Sequence, residues 1–407
     1  MQVIQKHIYD IELSHMYFDN KMEEGEHKDD ADMKRNFIIS CHERGASFVA
    51  LLRQNAPLHY QVVCARQYDL SRVPLGHIFS MTKSFVGLSY VHLLLTTDNM
   101  PHYVCIGDVE LFNEFVARDG MHNVRFVDLL SHTSGLVSGV EPGKFNAKDA
   151  MMLLANPTTE DMLERAVHRF EKKCVSANAT RRERVQCFSY NNYGSYLFGM
   201  LLETFMRCEQ VLEGKAPTWR VRDYTRDELG LFEGLTEDQD YMWPMHRGVG
   251  VTVYSAAFAG IKTNGDALVV IACNILDKHR LLLDFIQGDR PVVVNGIVVR
   301  NTNRVPATVT GVCATVTGAP AADHACIRDT NEERPVDYSY GFWVPVIPGR
   351  RVLSMIGMLG QFMAWDLDNN LIAVRTHTLD LPDMVPKNQH RDFVFDAMEF
   401  LWKYFKL

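Results

Sequence analysis

Phe79-Ser80-Met81-Thr82-Lys83-Ser84-Phe85 leads directly into an apolar run that reaches about Thr96. The run is hydrophobic nearly all round a helical wheel, which predicts a buried helix. Residues three apart share a helix face, so the Lys83 amine can reach the Ser80 hydroxyl. A serine hydroxyl is a poor nucleophile near neutral pH and needs such a base beside it. The positive end of the helix dipole also favours an anion that develops at the N-terminus. Ser80 is therefore a candidate nucleophile and Lys83 a candidate base. Taken alone, the tetrapeptide also fits an ordinary helix start, with Ser80 as cap and Lys83 in solvent. The rest of the chain has to separate the two.

Bulk properties narrow the field. The 407 residues are 47% hydrophobic and 23% charged, an ordinary globular composition. That length allows two domains, or one with a large insertion. The formal net charge is -8, and no basic stripe interrupts it, which argues against binding a phosphate backbone. The first residues lack the apolar stretch of a signal peptide, and no run is long enough to predict a membrane span. Nine scattered cysteines without a Cys-x-x-Cys pair read as reduced thiols. Together these features predict a cytoplasmic protein with neither a nucleic-acid nor a membrane partner.

Along the chain, residues 1–35 form an N-terminal segment that is densely charged from Asp19 to Arg35. Strands are predicted at Ala46 to Arg53 and Tyr60 to Cys64, separated by the turn-prone Gln54-Asn55-Ala56-Pro57. A short helix ending in a polar turn is predicted around Asp128 to Leu136. Helical patterns recur at 146–155, 158–171 and 193–207. Between 244 and 300 we expect a Gly-rich turn, a helix near 253–262 and then β-branched runs such as Ala267-Leu268-Val269-Val270-Ile271. Successive strands follow at Phe342 to Val346, Val352 to Ile356, Gln361 to Asp366 and Leu371 to Thr376, with a last amphipathic helix from about Arg391 to Phe405. Strands at both ends with helices between predict an α/β fold, an antiparallel sheet flanked by helices. The expected organisation is one domain over 36–407. Its α/β part covers about 36–97 and 246–407, and a mostly helical insertion about 98–245.

A second candidate cluster lies at Phe188-Ser189-Tyr190-Asn191-Asn192-Tyr193-Gly194. A phenol beside an ammonium has its pKa lowered, so Tyr190 could shuttle a proton to a leaving group. Asn192 could orient the lysine or a substrate amide through its carbonyl and NH2. By itself this stretch also fits a helix entry, with Asn192 as cap and Tyr190 in the core.

In chain order, Ser80-x-x-Lys83, Leu129-Leu130-Ser131-His132-Thr133-Ser134-Gly135-Leu136 and Tyr190-x-Asn192-x-Gly194 resemble the penicillin-recognising serine hydrolases. The likeness is to class C β-lactamases, D-alanyl-D-alanine carboxypeptidases and esterases of that family. It runs from about Arg44 to Leu407 and includes Arg247-Gly248-Val249-Gly250-Val251 and Gly357-Met358-Leu359-Gly360-Gln361-Phe362. The resemblance implies a β-lactamase/transpeptidase-like fold. It implies Ser80 as the acylated nucleophile, Lys83 as general base, Tyr190 as the second proton-transfer residue and Asn192 as its polar partner. His132 would fix a turn. The oxyanion would be held by the Ser80 amide and by the strand around Ser354, Met355 and Ile356, ahead of Gly357.

One part of the pattern is missing. Relatives carry a Lys or His, then a small residue, then Gly, on the strand beside the nucleophile, to read a substrate carboxylate. Here Val352 to Gly357 offers no cation, and Arg350 and Arg351 lie only nearby. Without that charge-assisted bond, an ester or a less charged amide is favoured over a β-lactam. The expected partner is a small-molecule ester, amide or peptide. No cofactor and no metal site is expected: there is no His-Glu-x-x-His and no Walker A spacing, and the histidines are dispersed. The absence of a Gly-x-Ser-x-Gly elbow excludes an α/β-hydrolase. The alternative from another class is a binding or scaffold protein that keeps the fold with weak or no catalysis.

Overall fold

The computed structural model describes residues 48–67, 75–97, 100, 124–134, 188, 190, 192–247, 253–306, 336–357 and 361–376. The charged N-terminal segment, the helical patterns at 146–155 and 158–171 and the C-terminal amphipathic helix lie outside them.

The chain opens with the hairpin β1 (Phe48–Ala56) and β2 (His59–Gln67), then the short β3 (Gly76–His77). A single 3₁₀ turn, Phe79–Met81, runs into α1 (Thr82–Thr96). Next come α2 (Phe126–Leu130), α3 (Asn192–Leu212) and α4 (Val221–Asp227). Small strands β4 (Tyr241–Met242), β5 (Met245–Arg247), β6 (Val253–Ser255) and β7 (Lys262–Thr263) lead to α5 (Gly265–Gln287). The hairpin β8 (Val292–Val294) and β9 (Ile297–Val299) follows, then β10 (Val305–Pro306) and β11 (Val336–Ser339). The described chain closes with β12 (Phe342–Ile347), β13 (Arg350–Ile356), β14 (Phe362–Asp366) and β15 (Leu371–Thr376).

Among the described residues, the main sheet has eight strands in the order β10-β11-β12-β13-β14-β15-β1-β2. Every pairing in it is antiparallel. Side chains alternate across a strand, and here both sets are apolar and buried. Leu353, Met355, Met363, Trp365 and Val374 join one core with α1 and α5, where the Trp365 indole donates to the Ala272 carbonyl at 3.1 Å. Val352, Phe362, Ala364 and Ala373 on the opposite face are also buried. A sheet apolar on both faces is a middle layer, which agrees with the sandwich expected from the sequence.

Three local readings need correction. The turn placed at Gln54–Pro57 comes later, because Gln54–Ala56 continue β1 and the reversal falls at Pro57 and Leu58, whose φ is +62°. Residues 253–262 form no helix but two short strands with an irregular link. The β-branched run Ala267–Ile271 belongs to the 23-residue helix α5. The Asn264 side chain accepts from the Ala267 amide at 2.8 Å and starts that helix; Gly288 ends it in the left-handed conformation. The turns of α5 from Ala267 to Cys273 are buried all round and lose the amphipathic period, so an apolar run of this kind resembles a buried strand.

α1 is buried from Thr82 to Val91. One glycine makes its depth achievable. A Cβ on Gly87 would lie 1.8 Å from the Tyr340 carbonyl oxygen, so only glycine lets the β11–β12 turn rest on the helix. The Ser84 hydroxyl then donates to the Gly341 carbonyl at 2.5 Å. At the other contact, a Cβ on Gly357 would lie 2.2 Å from the Ile78 carbonyl oxygen. The end of β13 is thereby set against the backbone two residues before Ser80.

Candidate active site

Ser80 lies in the middle of the 3₁₀ turn and not in the α-helix proper. Phe79 before it has φ +50°, an uncommon conformation for a bulky residue. The turn is anchored by the Ile78 amide, which donates to the Ile261 carbonyl at 3.0 Å. Lys83, one residue into α1, is 1% exposed. Its Nζ lies 2.8 Å from Ser80 Oγ and donates to the Phe258 carbonyl at 2.9 Å.

Burial in this apolar setting holds the Lys83 amine well below the usual lysine range. A neutral amine has two N–H groups and one lone pair. With one N–H on Phe258, the lone pair can receive the Ser80 proton. Burial thus favours the neutral amine over the ammonium.

Tyr190 shares a hydrogen bond with Ser80. Its ring centroid is 4.9 Å from Lys83 Nζ. The lowered phenol pKa anticipated above is reversed. Burial raises it, and the bond to Ser80 draws it only part of the way back. The expected helper, a neighbouring ammonium, is itself disfavoured by burial. Burial thus works toward the uncharged form of both groups, the amine and the phenol.

His132 follows α2 in a left-handed turn with φ +57°. The turn is braced by Asp128, which accepts from the Arg125 amide at 3.1 Å, while the Asp128 carbonyl accepts from the Thr133 amide at 2.9 Å. His132 is 1% exposed, and burial together with nearby Lys83 holds it well below the usual imidazole value. Its Nε2 shares a hydrogen bond with the Tyr338 hydroxyl at 3.2 Å. Asn192 opens α3, and its Oδ1 is buried with no hydrogen-bond partner among the described residues. That oxygen does not orient the lysine, whose bonds go to Ser80 and Phe258.

On β13, Met355 and Ile356 are buried, and only their backbone can serve the site. The Gly357 amide donates to the Gln361 carbonyl at 2.8 Å, on the β14 side. Successive amides alternate sides, so that of Met355 also faces β14, where it pairs with Met363. The Ile356 amide faces the other way. Pairing with β12 stops at Ser354, two residues before it. Of the strand residues named from the sequence, Ile356 is the one whose amide is directed toward an open stretch.

Arg350 and Arg351 are removed from the question of a carboxylate reader. They open the seven-residue β13 at the end opposite Gly357, roughly 20 Å away at strand rise. Arg350 is paired with Asp366, and Arg351 bridges Asp284 at 2.6 Å and Asp368 at 2.8 Å. Sequence reasoning missed the Phe258 carbonyl, Trp343 and Tyr338. A backbone carbonyl leaves no mark in a sequence, and both aromatic residues sat inside segments that read only as strand or unassigned chain. Among the described residues, no three His, Cys, Asp or Glu side chains gather as a metal-binding group.

No protein-family model matches the chain, and no curated protein matches it by sequence. Solved structures do. A penicillin-binding protein homologue from Pyrococcus abyssi, described as octameric, is 14% identical with a TM-score of 0.50, covering 92% of this chain and 77% of its own. The D-amino acid amidase of Ochrobactrum anthropi SV3, in complex with L-phenylalanine amide, is 13% identical with a TM-score of 0.50, covering 93% of this chain and 99% of its own. The fold of this chain is that of the penicillin-binding protein and serine β-lactamase-like hydrolases.

Proposed function

We propose that the chain is a serine hydrolase that forms an acyl-enzyme on Ser80 and acts on an ester or an amide with little charge. The observation that carries this reading is the buried amine of Lys83, 2.8 Å from Ser80 Oγ and bonded on its other side to a carbonyl. A scaffold has no use for a buried lysine without a carboxylate, which costs stability.

Lys83 takes the Ser80 proton as Oγ attacks the substrate carbonyl carbon. The carbonyl electron pair moves onto oxygen, where the amides of Ser80 and Ile356 donate to it. The new ammonium lies over the Tyr190 ring, whose electron-rich face offsets part of the charge. The tetrahedral adduct then collapses, and the C–O or C–N bond to the leaving group breaks. Tyr190 hands its phenolic proton to that group and is re-protonated from Lys83. Water attacks the acyl-Ser80 by the reverse roles, releasing the acid and restoring Ser80. The unpartnered Asn192 Oδ1 suits an N–H donor on the acyl portion. An uncharged substrate is supported by β13, whose arginines are held by carboxylates at its far end. The amidase with the same fold favours the amide side of this reading.

Intact-mass analysis after exposure to a fluorophosphonate tests it. One adduct is expected on the wild type and none on Ser80→Ala. An unlabelled but folded wild type would overturn the reading in favour of a scaffold.

A further inference from the structure

The proposed chemistry needs the Tyr190 hydroxyl held on Ser80, yet Tyr190 sits in the approach to α3 and not within a helix or strand. Three rings from three separate elements surround it. His132, from the turn after α2, has its centroid 4.4 Å away. Trp343, on β12, stacks on it at 5.7 Å with only 16° between planes. Tyr338, on β11, meets it edge-on at 6.3 Å and 89°.

These rings also brace one another. His132 and Tyr338 lie 4.9 Å apart and share the 3.2 Å hydrogen bond. Tyr338 stands edge-on to Trp343 at 4.9 Å and 83°. The Trp343 carbonyl accepts from the Ser354 hydroxyl at 3.2 Å, fixing β12 to the strand beside the nucleophile. Stacked and edge-to-face pairs have defined orientations, so a ring held by both kinds loses freedom to tilt or slide.

We propose that His132, Tyr338 and Trp343 are positioning residues for Tyr190, clasping its ring so that the hydroxyl stays on Ser80. The proposal rests on the assignment of Ser80 and Tyr190 above. It gives the His132 side chain a task beyond its turn: the ring orients the phenol, and its bond to Tyr338 joins β11 to that task.

The test is a double-mutant cycle on fluorophosphonate labelling of Ser80, resolved into the maximal rate and the half-saturating concentration. Tyr338→Phe removes only the hydroxyl that bonds His132. It should slow the maximal rate by roughly two- to a hundredfold, the span of coupling between groups in contact, with half-saturation unchanged. In a Tyr190→Phe background, the same change should slow labelling less than twofold. His132→Asn should behave alike, since asparagine tolerates the left-handed backbone and keeps the turn. Equal slowing in both backgrounds, or none in the first, would overturn the clasp. Labelling that survives Ser80→Ala would instead overturn the nucleophile assignment, so the two failures are distinct.

Discussion

The two ends of β13 handle charge in opposite ways. At the Arg350 end, charge is abundant and matched. Arg351 bridges Asp284 and Asp368, and Arg280 adds contacts to Asp284 at 3.6 Å and to the Leu367 carbonyl. Burial would raise the Asp368 carboxyl, but hydrogen bonds and attraction from Arg351 outweigh it and leave the pKa lowered. At the Gly357 end, charge is withheld. At Lys83, Tyr190 and His132 burial penalises the charged form and shifts each group toward its neutral one. Paired charge contributes to stability; a charge kept back until a proton moves contributes to reactivity.

The sharpest attack on this contrast is Lys83→Met, which keeps the apolar stem and removes the base. Labelling of Ser80 should fall by about a thousandfold or more, within the range of general-base effects. Stability at neutral pH should rise rather than fall, because removing an amine that gives up its proton on burial outweighs the lost bond to Phe258.

Next in size is Gly357→Ala. The new methyl would meet the Ile78 backbone, which cannot swing aside as a side chain can. The strand and the nucleophile turn must separate, costing about 1–3 kcal/mol. Labelling should fall by roughly a hundredfold through misplacement alone. Unchanged labelling would mean that the strand end does not serve Ser80.

The two ends should also separate by pH. Labelling should rise with pH through the lowered Lys83 pKa, since only the neutral amine accepts the proton. Stability follows the same direction in two windows. Below the ordinary lysine value of 10.5 and above the folded one, the unfolded chain binds a proton that the folded chain does not. Stability therefore climbs with pH across that window, and Lys83→Met should flatten it. Asp368 acts in acid: its stabilisation is present above the ordinary value of 3.8 and is lost as pH falls through the folded value. Urea titrations across pH on the wild type and on Lys83→Met would resolve the windows.

The smallest effect belongs to Arg351→Ala. It should cost about 1–2 kcal/mol of stability, as for a half-buried charged pair, while labelling stays within twofold of wild type. A large labelling defect here would show that the two ends are coupled.

The split also explains what could be read in advance. Ser80 and Lys83 were legible because a three-residue spacing on a helix fixes which side chains meet. The strands from Phe342 to Thr376 were legible because short runs rich in β-branched and aromatic residues are bounded by turn residues. The approach of Lys83 to Ser80 was legible, but the upward shift of the Tyr190 phenol was not: it depends on burial by His132, Trp343 and Tyr338, which come from distant parts of the chain. The Ala267–Ile271 run misled for a related reason, since these turns of α5 are buried all round and the polar face of the helix begins only at Asn274. Whether Arg350 and Arg351 could serve the site was decided by strand direction, which two adjacent arginines do not reveal.

The burial of α1 has one more consequence. Its amides from Val86 onward are enclosed by β12, α4 and α5, so they should exchange with solvent only when the whole domain opens. Ser80 is joined to this helix through the single tight turn Phe79–Met81. Loss of labelling on heating and loss of the folded state should trace the same curve, and deuterium uptake across Val86–Leu93 should be among the slowest in the chain.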